Sequence, residues 1–286
     1  MKLGELVRAA IEEDVGTGDR TTLWTVPPGE RARARVLARE DLVVAGTSAF
    51  AEVFRQVAPS VEFHALLNEG AEAGEGDVVA ALEGPARGIL TAERTALNFL
   101  GRLSGIATLT REFVRAVEGT GARVLDTRKT TPGWRELEKA AVASGGGENH
   151  RFGLYDMVLV KENHIAIAGG IPEALTRVRE ENVEGLHVEV EVASLADLEL
   201  VRGCGVDRVL LDNMTTEEMS AAVETVRRWP PPRPLLEASG NMSLLRVAEV
   251  ARVGVDCISV GALTHSAPVA DLSLLMEEVD HRGTVR

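Results

Sequence analysis

The spacing of apolar and polar residues divides the chain into two parts with different patterns. In roughly the first hundred residues, helical and strand-like spacing follow one another in no fixed order, and glycines mark turns between the strands. The strand-like segments are 31–39 (RARARVLAR), 61–67 and 77–84, and the helical ones are 3–13, 48–58 and 91–103. This mixture predicts an α+β domain built on an antiparallel sheet, which we place at residues 1–108.

From about residue 105 the pattern becomes regular, because short β-branched runs alternate with helical stretches. The predicted strands are 123–127, 156–162, 186–192, 207–213, 234–239 and 256–261. Such alternation indicates βαβ units with parallel pairing. Six units are fewer than the eight of a closed barrel, so we predict an incomplete (β/α) barrel of six to seven strands at 109–268, with a doubly wound sheet as the alternative. Residues 269–286 are predicted to form a C-terminal helix that packs back on the N-terminal domain.

Polar groups at the ends of the predicted strands favour the barrel. Nearly every strand ends in charged or hydroxyl side chains, at 126–129, 161–164, 189–191, 212–213, 237–240 and 259–261. In a barrel all carboxyl ends of the strands meet on one face, where active sites lie, whereas a doubly wound sheet brings together only the two strands at its switch point. The sequence therefore predicts a catalytic rim made from many strand ends.

Composition and charge narrow the class of protein. The 286 residues are 45% hydrophobic, which excludes an intrinsically disordered chain. The formal net charge of −13 argues against a protein that coats DNA or RNA, because a phosphate backbone requires a positive protein surface. No apolar run reaches the roughly 18 residues of a membrane-spanning helix, so we expect no membrane association. The two distant cysteines, Cys204 and Cys257, form no disulfide framework and favour a cytoplasmic location.

The positive charges are distributed unevenly. Only four of the 31 basic residues are lysines, and three of these, Lys129, Lys139 and Lys161, fall within one short stretch. Residues 123–164 hold seven Arg or Lys against six Asp or Glu, so this segment is locally neutral to basic although the chain is acidic. Chance clustering is one explanation, and a site that needs a compact ammonium group is the other.

The predicted rim has a basic part and an acidic part. Guanidinium and ammonium groups in a pocket suit carboxylate or phosphate, and carboxylates beside a phosphate site suit Mg²⁺ or ribose hydroxyls. Glycine-containing turns after the last two strands offer backbone N–H groups to a phosphate. The basic residues are Arg128, Lys129, Lys139, His150, Arg151, Lys161 and His164, and the acidic ones are Glu189, Glu191, Asp212 and Glu237.

Several long strings resemble one enzyme family. They are EEDVGTGDRTT (12–22), ERTALNFLGRLSGIAT (93–108), LDTRKTTPGWRELEKAAV (125–142), GGGENHRFGLYDMVLVKENH (145–164), EVEV (189–192), LLDNM (210–214), LEASGN (236–241) and DCISVGALTHS (256–266). In sequence and order they are similar to quinolinate phosphoribosyltransferase, and they span nearly the whole chain. The resemblance implies an α+β sandwich domain followed by an incomplete α/β barrel.

The resemblance also implies a reaction of de novo NAD synthesis. Such a pentosyltransferase converts quinolinate and 5-phosphoribosyl-1-pyrophosphate, with Mg²⁺, into nicotinate mononucleotide, pyrophosphate and CO₂. It implies a homodimer with shared active sites, and whether dimers assemble further is left open. A Schiff-base barrel lyase acting through Lys161, a non-catalytic metabolite binder, and a related phosphoribosyltransferase-like protein with another acceptor remain alternatives.

Matching positions carry the implied roles. Arg128, His150, Arg151 and Lys161 resemble the pocket for the two quinolinate carboxylates, and Arg94 resembles an arginine contributed by the neighbouring subunit. Lys129 and Lys139 are expected near pyrophosphate, with Thr130 among the substrate-binding positions. Glu191 and Asp212 match positions that hold ribose hydroxyls or the metal. The implied 5-phosphate loops are Ser239, Gly240, Asn241, Gly261 and Ala262. The positions we assign to catalysis are Lys129, Lys161, Glu191 and Asp212.

Overall fold

A computed structural model of the chain describes residues 2–277. The helices are α1 (Leu3–Val15), α2 (Arg20–Thr25), α3 (Thr47–Val57), α4 (Ala86–Ala116), α5 (Arg135–Ser144), α6 (Glu162–Ala168), α7 (Ile171–Glu181), α8 (Leu195–Val201), α9 (Thr216–Arg227), α10 (Leu244–Val253) and α11 (Ala262–His265). The strands are β1 (Arg31–Ala38), β2 (Leu42–Val43), β3 (Glu62–Ala65), β4 (Glu72–Ala73), β5 (Val78–Pro85), β6 (Arg123–Leu125), β7 (Val158–Val160), β8 (Val188–Val192), β9 (Arg208–Asp212), β10 (Leu235–Ser239), β11 (Cys257–Ser259) and β12 (Leu272–Met276). None of the helices in this part of the chain is both long and apolar enough to cross a membrane.

The chain folds into two compact units. The first contains residues 2–111, 130–146 and 266–277, and the second contains 112–129 and 147–265. These boundaries differ from the predicted domains because 130–146 belongs with the first unit. Three contacts explain this membership: Trp134 stacks on Phe99 with ring centroids 4.7 Å apart, Glu138 Oε1 pairs with Arg102 Nη2 at 3.1 Å, and Gly145 packs on the backbone of Ala107.

The first unit is built on a four-stranded antiparallel sheet in the order β12-β1-β5-β3. In β1 the alternation of Arg with Ala and Val buries Ala32, Ala34 and Val36 and leaves the arginines exposed, as the sequence predicted. On the exposed face Arg33 Nε pairs with Glu83 Oε2 across the strands at 2.8 Å.

The end of the described chain corrects one expectation. A helix was predicted over 269–286, but Leu272–Met276 form β12, which pairs antiparallel with β1. Leu272 and Leu274 are buried and lie two residues apart, which is the spacing of one face of a strand. In this conformation the segment buries both leucines and also pairs with the backbone of β1. The remainder of the predicted helix, 278–286, lies outside the described residues.

The start of α2 supports a test of local stability. As its N-cap, Asp19 accepts hydrogen bonds from the Thr22 N–H (3.0 Å) and the Thr91 hydroxyl (3.2 Å), and the contacts with Thr22 lower the pKa of Asp19. A carboxyl with a lowered folded-state pKa stabilises the fold above its unfolded pKa near 3.8 and loses this effect as the pH falls through the folded pKa. We expect Asp19→Ala to lower the free energy of unfolding in urea at pH 7 by about 1 kcal/mol and Asp19→Asn to lower it much less. Equal losses in the two variants would contradict the capping role.

The second unit is an open, six-stranded parallel sheet. Its order is β6-β11-β10-β9-β8-β7, which confirms the predicted incomplete barrel with six strands. Ser194, Thr215 and Ser243 cap the N-termini of α8, α9 and α10 by accepting backbone N–H groups, so each helix starts shortly after the preceding strand ends. Because all six strands are parallel, their carboxyl ends lie on one side of the sheet.

Candidate active site

A cavity of about 350 Å³ opens at the carboxyl ends of the parallel strands, within the second unit. It receives side chains from the ends of β6, β7, β9, β10 and β11 and from the segment that precedes β7. The lining residues are Thr127, Arg128, Lys129, His150, Arg151, Leu159, Lys161, Leu210, Asp212, Glu237, Ser239 and Ser259. A cavity with this many polar groups from different strands is the arrangement expected of a barrel active site.

Two arginines share one side of this cavity. Burial lowers the pKa of the Arg151 guanidinium, and the positive charge of Arg128 lowers it further. Arg151 is held in position because its Nη1 donates to the Met157 carbonyl at 3.2 Å. Neighbouring like charges that are partly buried repel each other, and an anionic ligand between them relieves that repulsion. This side of the cavity is therefore suited to a ligand with more than one carboxylate or phosphate group.

Lys161 provides a further cation next to an acidic group. It follows β7, and its Nζ lies 3.0 Å from Glu191 Oε2. The Lys161 side chain is half-exposed whereas that of Glu191 is mostly covered. The ammonium group can therefore exchange this carboxylate for one brought by a ligand.

Glu191 and Asp212 lie near the carboxyl ends of two neighbouring strands, β8 and β9. Asn213 Nδ2 donates to Asp212 Oδ2 at 2.8 Å, which orients this carboxylate. Both residues are partly exposed and offer hard oxygen donors, the ligand type that Mg²⁺ prefers, often together with water and substrate phosphate. The two carboxylates fit a magnesium ion.

The turns after β10 and β11 require glycine. Gly240 has φ +107°, and a Cβ there would lie 2.2 Å from Asn213 Oδ1. A Cβ on Gly261 would lie 3.1 Å from Lys129 Cδ, so the stem of Lys129 passes directly over this glycine. Both glycines therefore pack against neighbouring side chains, which leaves little room for a Cβ in either turn.

Two of the acidic residues that the sequence assigned to the rim are fully buried at the base of the cavity, which Glu237 lines. Glu189 and Glu237 have no exposed surface, and each approaches the imidazole of His150. Their place in the strands explains this position: Glu189 lies two residues before Glu191 on the same face of β8, deeper in the sheet. That these two carboxylates hold Mg²⁺ or ribose stays a prediction, and the side chain that both approach here is His150.

This buried cluster has a definite charge pattern. Burial by itself lowers the pKa of His150, but the Glu189 and Glu237 carboxylates outweigh it and raise the pKa to about 9. Glu237 also accepts a 2.7 Å hydrogen bond from Arg208 Nη1. The two buried carboxylates thus lie beside two basic groups, the imidazole of His150 and the guanidinium of Arg208.

Three sequence-predicted residues lie in the first unit. Arg94 is exposed on α4, Thr130 accepts a hydrogen bond from Arg135 Nε at 3.0 Å, and Lys139 is fully buried on α5. Of the other candidates, Arg128, Lys129, His150, Arg151, Lys161, Asp212 and Ser239 line the cavity together.

Three residues at or next to the cavity were not predicted from the sequence: Leu159, Leu210 and Arg208. Leu159 and Leu210 line the cavity and lie two residues before Lys161 and Asp212, on the same faces of their strands. Arg208 lies two residues before Leu210. Because every second residue of a strand lies on the same face, the positions two and four residues before a polar strand end would have identified all three.

Comparisons with known proteins agree with this architecture. The models for the N-terminal and C-terminal domains of quinolinate phosphoribosyl transferase match residues 19–104 and 106–275. The chain belongs to this family of phosphoribosyl transferases.

Individual relatives match over nearly the full length. The chain is 42% identical over 264 residues to a probable nicotinate-nucleotide pyrophosphorylase (carboxylating) of Synechocystis sp., covering 92% of this chain and 89% of that protein. It is 42% identical over 273 residues to the nicotinate-nucleotide pyrophosphorylase (carboxylating) of Mycobacterium leprae, covering 94% and 95%. Among solved structures, the nicotinate-nucleotide pyrophosphorylase from Francisella tularensis superposes with a TM-score of 0.91 at 38% identity, covering 96% of each chain.

Proposed function

We propose that this protein transfers the phosphoribosyl group of 5-phosphoribosyl-1-pyrophosphate to quinolinate, with loss of CO₂, to form nicotinate mononucleotide and pyrophosphate in NAD biosynthesis. The observation that carries the proposal is the cavity that Arg128, Lys129, His150, Arg151 and Lys161 line next to Asp212. Quinolinate is a dianion and the second substrate a polyanion, so both suit this concentration of positive charge. Family membership supports the same reaction.

The arginine side of the cavity is the proposed quinolinate subsite. Arg128 and Arg151 bind carboxylate in a two-pronged manner, and Lys161 leaves Glu191 to take the second carboxylate. Since the pyridine nitrogen lies beside a carboxylate, fixing both carboxylates fixes the direction of its lone pair. Positioning of this kind accounts for a large part of the rate enhancement in transfer reactions.

The acidic side and the glycine turns are the proposed phosphoribosyl subsite. Glu191 and Asp212 hold the ribose hydroxyls and Mg²⁺, and a bound Mg²⁺ would neutralise charge on the departing pyrophosphate. Ser239, Gly240 and Asn241 after β10, with Gly261 and Ala262 after β11, bind the 5-phosphate through main-chain N–H groups. Lys129, which lies over Gly261, is proposed to interact with the pyrophosphate.

The chemistry needs no covalent enzyme intermediate. As the bond between the ribose C1 and pyrophosphate breaks, the ring nitrogen forms a bond to C1, and the leaving electron pair stays on the pyrophosphate oxygen. The ring nitrogen is now positively charged and stabilises the electron pair that remains on the adjacent carbon when CO₂ departs. A proton then takes the place of the carboxylate. The cations around the cavity stabilise the developing negative charge on the leaving group.

A homodimer that shares its active sites is part of the proposal, with Arg94 of one subunit serving the cavity of the other. Arg94 is exposed on α4, as this role requires. We expect Arg94→Ala and Lys161→Ala proteins to be nearly inactive alone, whereas refolding them together restores up to about a quarter of the sites, because a hybrid dimer then holds one intact site. Activity of the mixture is the measurement, and a mixture no more active than its components would contradict shared sites.

The function itself is tested by following quinolinate consumption together with release of pyrophosphate and CO₂. All three should proceed in equal amounts and require both substrates. Borohydride reduction with substrate present distinguishes the lyase alternative, since an adduct on Lys161 would indicate a Schiff base. Inactivity with quinolinate but turnover of another acceptor would refute the proposal in favour of a related transferase.

A further inference from the structure

The buried cluster below the cavity contains residues that the proposed reaction does not yet use. We propose, building on the proposed function, that Glu189 and Glu237 are positioning residues of the quinolinate subsite: they hold the imidazole of His150, which in turn fixes the backbone of Arg151. In this arrangement the sheet interior determines where the arginine side of the cavity lies.

The contacts of His150 form a continuous path. On one side of the ring, Nε2 lies 3.0 Å from Glu189 Oε2 and 3.5 Å from Glu237 Oε1. On the other side, Nδ1 accepts a hydrogen bond from the Arg151 N–H at 2.8 Å. Both ring nitrogens thus contact protein groups, and the proton on Nε2 faces the two carboxylates. A shift of the carboxylates moves the ring, and the ring moves the Arg151 backbone.

Other contacts hold the same segment at its two ends. The His150 N–H donates to Asp126 Oδ1, which is fully buried, at 2.8 Å. Beyond Arg151, the N–H groups of Phe152 and Gly153 donate to the carboxylate of Asp156 at 2.7 and 2.9 Å. Because the ends are fixed in this way, the orientation of the His150 ring is the adjustable part of the segment, and Glu189 and Glu237 determine it.

A purely structural role does not explain why carboxylates, and not apolar side chains, occupy these two buried positions. The neighbouring inward positions Leu159 and Leu210 show that this interior also accepts leucine, and apolar replacement of buried ion pairs is often neutral or stabilising. Instead, Arg208 is placed with its Nη1 2.7 Å from Glu237 Oε2 and neutralises charge deeper in the sheet. Keeping two anions there is explained when their task is to hold His150.

A metal ion is the competing occupant. Ligand atoms of His150, Glu189 and Glu237 lie within 4.8 Å of one another, and neither Glu189 oxygen nor Glu237 Oε1 makes a well-aligned hydrogen bond. The ion pair with Arg208 argues for positioning instead, because Arg208 already supplies positive charge beside Glu237 and His150 Nε2 faces both carboxylates.

The test uses isosteric Glu189→Gln and Glu237→Gln variants of the full-length protein. We expect each to raise the quinolinate KM about tenfold, with the KM for 5-phosphoribosyl-1-pyrophosphate changed less than twofold, since a misplacement of about 1 Å at a subsite has effects of this size or more. Glu224→Gln, an exposed carboxylate on α9, is the matched control and should leave both constants unchanged.

A double variant separates positioning from charge balance. If the carboxylate serves only to balance Arg208, then Arg208→Met combined with Glu237→Gln should restore the quinolinate KM. If it positions His150, the double variant keeps the raised KM. The inference would be overturned if the double variant restored the quinolinate KM, or if the single variants left both KM values unchanged. It would also be overturned if both KM values rose together in proportion to a fall in melting temperature. One equivalent of tightly bound zinc in the wild-type protein that is lost in Glu189→Gln would overturn it as well. An inactive wild-type enzyme would instead refute the proposed function.

Discussion

Arg128→Ala is expected to raise the KM for quinolinate about 100-fold and to leave the KM for 5-phosphoribosyl-1-pyrophosphate nearly unchanged. The loss of a two-pronged, charge-assisted contact to a carboxylate costs about 3 kcal/mol, which corresponds to about two orders of magnitude in affinity. The positive charge of Arg128 lowers the pKa of Arg151, so the two guanidinium groups lie near each other, and Arg151 alone cannot make the contacts of both. Steady-state kinetics with each substrate varied in turn provides the measurement.

Two further variants make this result specific. Arg128→Lys keeps the charge but loses the planar two-pronged geometry, and we expect an intermediate KM. Arg228→Ala removes an exposed arginine of α9 whose Nη2 lies 3.4 Å from Glu224 Oε2, and it should behave as wild type. Equal loss of affinity for both substrates in Arg128→Ala would contradict the assignment of this side of the cavity to quinolinate.

Asp212→Asn is expected to lower kcat by about 100-fold and to raise the Mg²⁺ concentration needed for half-maximal activity. The change removes one anionic oxygen donor while keeping the size of the side chain, so a Mg²⁺ ion bound there would be held less well. Titration of activity with Mg²⁺ at saturating substrates measures both effects. Quinolinate binding, followed by calorimetry without the second substrate, should stay within twofold of wild type.

Glu199→Gln is the matched control for this variant, because Glu199 is an exposed acid on α8 of the same unit. It should leave the Mg²⁺ titration unchanged. A variant at Asp212 that loses activity at all Mg²⁺ concentrations in equal proportion, with an unchanged midpoint, would show that this carboxylate acts on the ribose and not through the metal.

Much of the fold could be predicted from local patterns. The Arg and Ala alternation of β1 indicates which face is buried, and the repeated strand–helix pattern indicates six parallel strands. These predictions succeed because period-two and helical spacing reflect burial within a single element. The same reasoning located the polar strand ends that surround the cavity.

Other features depend on contacts between distant parts of the chain. Nothing near Trp134 in the sequence indicates that it stacks on Phe99 and brings α5 into the first unit. Likewise, the depth of Glu189 in the sheet follows from its register with β9, where it lies opposite Arg208. A sequence pattern shows which face a side chain occupies but not how deep it lies, so two buried glutamates looked like members of the rim.

The pairing of β12 with β1 has a consequence for how the protein is made. β1 (Arg31–Ala38) is synthesised long before Leu272–Met276, because the other strands and all the helices after β1 lie between them in the sequence. Until then one edge of the first sheet exposes unpaired backbone groups, the feature through which nascent chains pair with one another. The exposed arginines along β1 provide like-charge repulsion against such pairing during this interval. The first sheet is therefore completed only after β12 has been synthesised, and a chain that stops short of β12 keeps an open edge.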